Sequence, residues 1–103
     1  MINQVLIVGR LSSLPTNFTK DPLKYSEIRI EVERSYRDNQ GQPLSDLFNV
    51  ILWRGISDIT AEKYPVGSII GIKGRLESED GKYVIIAERV SFVSAADGEI
   101  HTN

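Results

Sequence analysis

A chain of 103 residues with no cysteine and a single histidine has room for one hydrophobic core, but no means of making disulfides, thiol chemistry, thiolate metal sites or a histidine-based triad. Its 12 basic and 14 acidic residues give a net charge of -2, which argues against a uniformly basic nucleic-acid binder and means that charge must be judged face by face. The apolar run Val5-Leu6-Ile7-Val8 is too short for a membrane span and has no basic start of a signal peptide, so the expectation is a cytoplasmic, non-catalytic domain without metal or cofactor.

Residues 4–11 predict a first strand, apolar on both faces through Val8 and able to bend at Gly9. Residues 12–25, with Pro15 and Pro22, read as a long loop. A second strand follows over 27–36, where Ile28, Ile30 and Val32 alternate with Arg29, Glu31 and Glu33. The polar turn 37–43 returns the chain antiparallel into a third strand, 47–53. There Phe48, Val50 and Leu52 form the inward set, which leaves Leu47, Asn49, Ile51 and Trp53 outside.

Residues 56–64 fit one short helix, with Ser57 as N-cap, Asp58 in the first turn, and Pro65 and Gly67 ending it. The fourth strand, 68–76, places Ile70, Ile72 and Leu76 on one face and Gly71, Lys73 and Arg75 on the other. Asp80-Gly81 marks a tight hairpin into a fifth strand over 82–93. The predicted organisation is one domain over 1–94 and a short polar tail over 95–103. Three strands, a helix and two strands make an all-β fold with one short helix, in the order of an OB-fold, a five-stranded Greek-key barrel whose second and third strands commonly receive oligonucleotides. An SH3-like barrel is the alternative with similar strand content.

Trp53 is the only tryptophan, lies on the predicted outer face and precedes Arg54, a pairing suited to stacking something flat and anionic, with single-stranded nucleic acid the obvious case. It serves equally as a barrel residue or subunit-contact anchor. Tyr36 stands beside Arg34 and Arg37, which would supply phosphate contacts around its ring, or simply form a solvated turn. Lys73 and Arg75 share a face thinned by Gly71 that a nucleic-acid backbone could approach, although pairing with Glu31 or Glu33 explains them too. Lys82 and Tyr83 could clamp a strand after the hairpin turn, against the repulsion of Glu79 and Asp80. Asn49 can donate to a phosphate or base, or satisfy a neighbouring bulge.

The ordered set Ile2-Asn3-Gln4-Val5-Leu6-Ile7-Val8-Gly9-Arg10-Leu11, Val32-Glu33-Arg34-Ser35-Tyr36, Phe48-Asn49-Val50-Ile51-Leu52-Trp53-Arg54, Gly67-Ser68 and Gly74-Arg75-Leu76 resembles the bacterial single-stranded DNA-binding protein family over residues 2–93. The resemblance implies an OB-fold assembled as a homotetramer, with a dimer second, wrapping single-stranded DNA during replication, repair or recombination in the nucleoid. It matches Tyr36 and Trp53 to stacking aromatics, and puts Asn49 and Arg54 beside backbone-contacting positions. Three features depart from the family pattern. Leu47 stands where an aromatic is usual, the hairpin 76–83 is shorter and more acidic, and the acidic, phenylalanine-ended tip that recruits replication or recombination proteins is not found. A second reading is therefore an OB-fold assembly protein of the primosomal PriB type, acting mainly through protein partners.

Overall fold

Alternation of β-branched residues with polar ones gives strands with one oily face, and six of them organise the computed structural model, which describes residues 1–20, 23–53 and 64–94. They are β1 (Val5–Leu11), β2 (Thr16–Lys20), β3 (Leu23–Arg37), β4 (Pro43–Trp53), β5 (Ile69–Glu79) and β6 (Lys82–Ser94). The sheet runs β1-β5-β6-β4-β3-β2, and β1 also pairs with β3. That extra pairing closes β1, β3, β4, β5 and β6 into a five-stranded barrel, with β2 as an outlying partner of β3. The β4–β6 pair is parallel and the others antiparallel, the connectivity of the OB-fold rather than of an SH3-like barrel.

The core is built from the inward positions of each strand. Leu11, Ile28, Ile30, Val50, Leu52 and Ile70 are fully buried, and Ile72, Ile85 and Ala87 complete the cluster. Burying each of the larger side chains stabilises the fold by about 1.5–3 kcal/mol. Two glycines let the barrel close. A Cβ on Gly9 would lie 2.5 Å from the Glu31 carbonyl oxygen, at the point where β1 passes from its pairing with β5 to its pairing with β3. A Cβ on Gly74 would collide with the Ile86 carbonyl, beside a register shift that gives β6 an extra residue, Glu88, between the partners of Gly74 and Lys73. The Asp80-Gly81 turn has positive φ at both residues, 51° and 80°, as a two-residue hairpin of the I′ kind requires.

Three expectations need correction. Residues 12–25 are not one loop, because β2 and the start of β3 form a hairpin there. Pro15 precedes β2 and Pro22 lies outside the described residues, so neither proline falls within a described strand. Phe48 has inward parity opposite Ile30 but is 37% exposed, and Leu76 likewise is 43% exposed. β4 reaches β6 only at Val50 and Ile51, and β1 reaches β5 only as far as Gly74. The β3–β4 and β5–β6 hairpins therefore run on past the barrel, and there inward parity no longer means burial. Ile51 departs in the other direction, outward by parity yet buried, alongside its buried register partner Ile86. The expected helix over 56–64 lies, except for Tyr64, outside the described residues, as do Arg54 and the tail 95–103. Among the described residues, no helix is long and apolar enough to cross a membrane.

Candidate nucleic-acid interface

On the outer face of the β3–β4 ribbon the register pairs Tyr25 with Trp53, Glu27 with Ile51, Arg29 with Asn49, Glu31 with Leu47, and Glu33 with Ser45. Trp53 stands where parity put it, outside the core cluster and half-buried. Its ring packs against Tyr25, with centroids 5.4 Å apart and planes tilted by 59°. That gap is too narrow for a base to enter between the rings, so any stacking would use a face of the indole turned away from Tyr25. Sequence reasoning missed Tyr25 because it fell in the presumed loop. Its place two residues before Glu27, in phase with the outward residues, was the available signal.

Tyr36 lies eleven residues beyond Tyr25 on β3, roughly 36 Å away along an extended strand at about 3.3 Å per residue. The two predicted stacking aromatics thus sit at opposite ends of one ribbon and do not share a pocket. The register slips between Glu33 and Arg37, and within that slipped stretch Tyr36 is 57% exposed. Arg34 donates from Nε and Nη2 to the two carboxylate oxygens of Asp46 at 2.9 and 2.7 Å, and from Nη1 to the Tyr36 hydroxyl at 2.8 Å. The hydrogen bond from Arg34 lowers the Asp46 carboxyl below its ordinary range, and the Asp46 carboxylate in turn raises the guanidinium pKa. Arg37 donates to the Gly41 carbonyl at 3.0 Å, within a turn where Asp38 Oδ1 accepts from the backbone of Gln40 and Gln42.

Between these ends the outer face of β3 carries Glu27, Glu31 and Glu33 against Arg29 alone. No basic stripe runs along this strand. Asn49 is exposed and in register with Arg29, a cation that sequence reasoning left out although the alternation already placed it outward. Leu47, 60% exposed, occupies the middle of the ribbon.

The remaining predicted residues belong to the β5–β6 side. Lys73 is in register with Leu6 on β1 and Arg89 on β6, above a shallow groove of about 310 Å³ that Val8 and Gly71 help to line. Arg75 pairs with Glu77 at 2.7 Å and Glu88 at 3.3 Å, not with Glu31 or Glu33. The Glu77 hydrogen bond is the main cause of its raised pKa. Lys82 opposes Glu79 at the hairpin tip, and Tyr83 is 75% exposed opposite Ser78. Among the described residues, no three histidine, aspartate or glutamate side chains converge to hold a metal ion.

The model of the single-strand binding protein family matches residues 2–93. A single-stranded DNA-binding protein of Bacillus cereus is 32% identical over 108 residues, covering 95% of this chain and 64% of its own length. Single-stranded DNA-binding protein B of Bacillus subtilis is 33% identical over 94 residues, covering 85% of this chain and 83% of its own. The chain thus spans less than two thirds of the Bacillus cereus relative. Among solved structures, the mitochondrial single-stranded DNA binding protein Rim1 of S. cerevisiae superposes with a TM-score of 0.77 at 16% identity, covering 90% of this chain and 95% of that one. A Plasmodium falciparum protein solved in complex with single-stranded DNA gives 0.71 at 15% identity, covering 91% and 97%. At these identities the structural likeness establishes the OB-fold.

Proposed function

The chain belongs to the single-strand binding protein family, and on that footing we propose that it is a non-catalytic module binding single-stranded DNA without sequence preference, through base stacking on Trp53 and Tyr36. The observation that carries this reading is the outward Trp53, held half-buried against Tyr25 at one end of a ribbon whose other end presents Tyr36. Stacking on an aromatic ring is worth about 1–3 kcal/mol per base and tolerates any base, since every base has a π-face. Asn49, Arg37 and the outward Arg29 are the polar contacts nearest that path. Arg54, next to Trp53 in the sequence, is a further candidate contact, while Lys73, Lys82 and Tyr83 would extend the path around the β5–β6 side. Such a module would cover exposed strands during replication, repair or recombination, in the cytoplasm and on the nucleoid.

We further assign it a homo-oligomeric state, tetramer first and dimer second. Leu6, Val8 and Val93 are 72%, 57% and 53% exposed around Gly71, where a Cβ would lie 3.7 Å from Val8 and 3.9 Å from Val93. Contiguous exposed apolar side chains flanking a glycine suit face-to-face packing with a second copy.

The test is a titration with oligo-dT followed by the fluorescence of Trp53, run at several salt concentrations with sizing of the free protein. Quenching at low salt, with affinity falling along a log–log slope of about -0.7 per neutralised phosphate, is the expected result, and no quenching at low salt sinks the reading. The acidic outer stripe of β3 favours the assembly-protein alternative. Weak oligo-dT binding by a dimer with a tight protein partner would select it.

A further inference from the structure

Arg34 is flanked by an aromatic and another cation, the setting in which an arginine is ordinarily counted as a phosphate contact. Its geometry assigns it to something else. A guanidinium has five N–H donors in a rigid planar fork, and its side-on edge, Nε and Nη2, is already filled by both oxygens of Asp46. A third donor goes to the Tyr36 hydroxyl at 2.8 Å, and the guanidinium carbon stands 5.7 Å from the centre of the Tyr36 ring. Asp46 reaches this group from β4, where it opposes Val32 one pair before the register slip. Arg34, Asp46 and Tyr36 thus form one braced unit at the point where regular pairing stops fixing side-chain direction.

Resting on the single-stranded DNA reading, we propose that Arg34 and Asp46 are positioning residues that hold the Tyr36 ring as a stacking surface, and that Arg34 is not a phosphate ligand. Two N–H donors remain, but the Asp46 carboxylate bound at two points already offsets the charge that would draw a phosphate to them, and a phosphate taking the Nε–Nη2 edge would displace that carboxylate and release the ring that makes the site useful. Neutralisation of phosphate at this end of the ribbon falls to Arg37, whose guanidinium makes a single bond to a backbone carbonyl.

Arg34→Lys separates the two roles, because lysine keeps the charge but cannot bridge Asp46 at two points while reaching the phenol. The binding of fluorescently labelled oligo-dT is measured by anisotropy across a salt series for the wild type, Arg34→Lys, Arg34→Gln, Asp46→Ala, Tyr36→Leu and the Arg34→Gln/Tyr36→Leu double variant. The lysine, glutamine and alanine variants should weaken binding by a similar factor, about 3- to 10-fold, as a partial loss of one stacked base. Their salt slope should stay that of the wild type, and Arg34→Gln should cost nothing further once Tyr36 is leucine. Restoration of affinity by Arg34→Lys, a slope reduced by about 0.7 in Arg34→Gln, or tighter binding by Asp46→Ala would each overturn the proposal. Absence of binding by the wild type overturns the DNA reading itself. Independently of DNA, NMR of the Tyr36 ring in the free protein should show greater mobility in both Arg34→Gln and Asp46→Ala, with thermal midpoints confirming that each variant is folded. An unchanged ring in these variants would also overturn the proposal.

Discussion

At the Trp53 end of the β3–β4 ribbon an aromatic ring is placed by regular pairing. Tyr25 sits directly across the ladder, and the two rings pack at 5.4 Å. At the Tyr36 end the register has slipped and the ring is held by an arginine and a carboxylate. The contrast shows what each brace demands. Cross-strand aromatic packing needs only that two pleats stay in phase, and it is worth about 0.5–1.5 kcal/mol beyond the area it buries. A ring inside an irregular stretch of the ladder has lost that phase, and it requires a polar brace whose donors and acceptors are spent on the ring's orientation. Cations at the two ends therefore cannot be counted alike as contributors to binding.

The comparison breaks most visibly if the ordered end is not the stronger one. Trp53→Ala should weaken labelled oligo-dT binding by about 5- to 150-fold, the range for one stacked base, and by more than Tyr36→Leu does. The reverse ranking would make Tyr36 the principal platform. A smaller effect probes the stretch between the ends, where Leu47 is exposed opposite Glu31. Leu47→Trp should tighten binding by roughly 5-fold, the low end for a new stacking surface, if the strand follows the ribbon from one aromatic to the other. No gain from a folded variant would mean that the two ends are visited separately. Smaller again is Tyr25→Leu, which removes the buttress and leaves the indole in place. An expected loss of about 2- to 4-fold, together with a red shift of Trp53 emission in the free protein, would measure what regular pairing contributes to stacking.

Much of this arrangement was legible in the chain because a two-residue repeat fixes which side a residue takes. Ile28, Ile30 and Val32 against Arg29, Glu31 and Glu33 determined the inside of β3, and the same parity put Trp53 outside. The Asp80-Gly81 turn was readable for a chemical reason, since glycine and aspartate tolerate the positive φ values that this turn needs. Parity could not tell where the barrel ends, so Phe48 and Leu76 read as core although nothing covers them fully. Nor could it show that Arg34 is committed to Asp46 and Arg75 to Glu77 and Glu88. The Arg34–Asp46 and Arg75–Glu88 pairs are contacts between strands, set by register, and a slip such as that between Glu33 and Arg37 has no signature in the order of residues. The Tyr25–Trp53 pair was hidden for a related reason, because the strand carrying Tyr25 begins directly after Pro22 and its first residues look like loop.

The smallest predicted effect concerns the surface between the two ends. Glu27, Glu31 and Glu33 point outward along β3 with only Arg29 among them, so a DNA strand laid on this ribbon must keep its phosphates away from the sheet while its bases face the protein. Stacking at the ends is compatible with that posture, since the bases contact the rings and the backbone lies on the solvent side. The carboxylates then act as a weak and distributed repulsion whose range is the screening length, about 10 Å at 0.1 M salt and near 3 Å at 1 M. Glu31→Gln should tighten oligo-dT binding roughly twofold at low ionic strength, as expected for one charge at water-like dielectric, and the gain should vanish toward 1 M salt. A gain that persisted at high salt would locate a base or phosphate in direct contact with Glu31, and a loss would show that the carboxylate accepts a hydrogen bond from the DNA. Either outcome would move the path of the strand from the ends of the ribbon onto its middle.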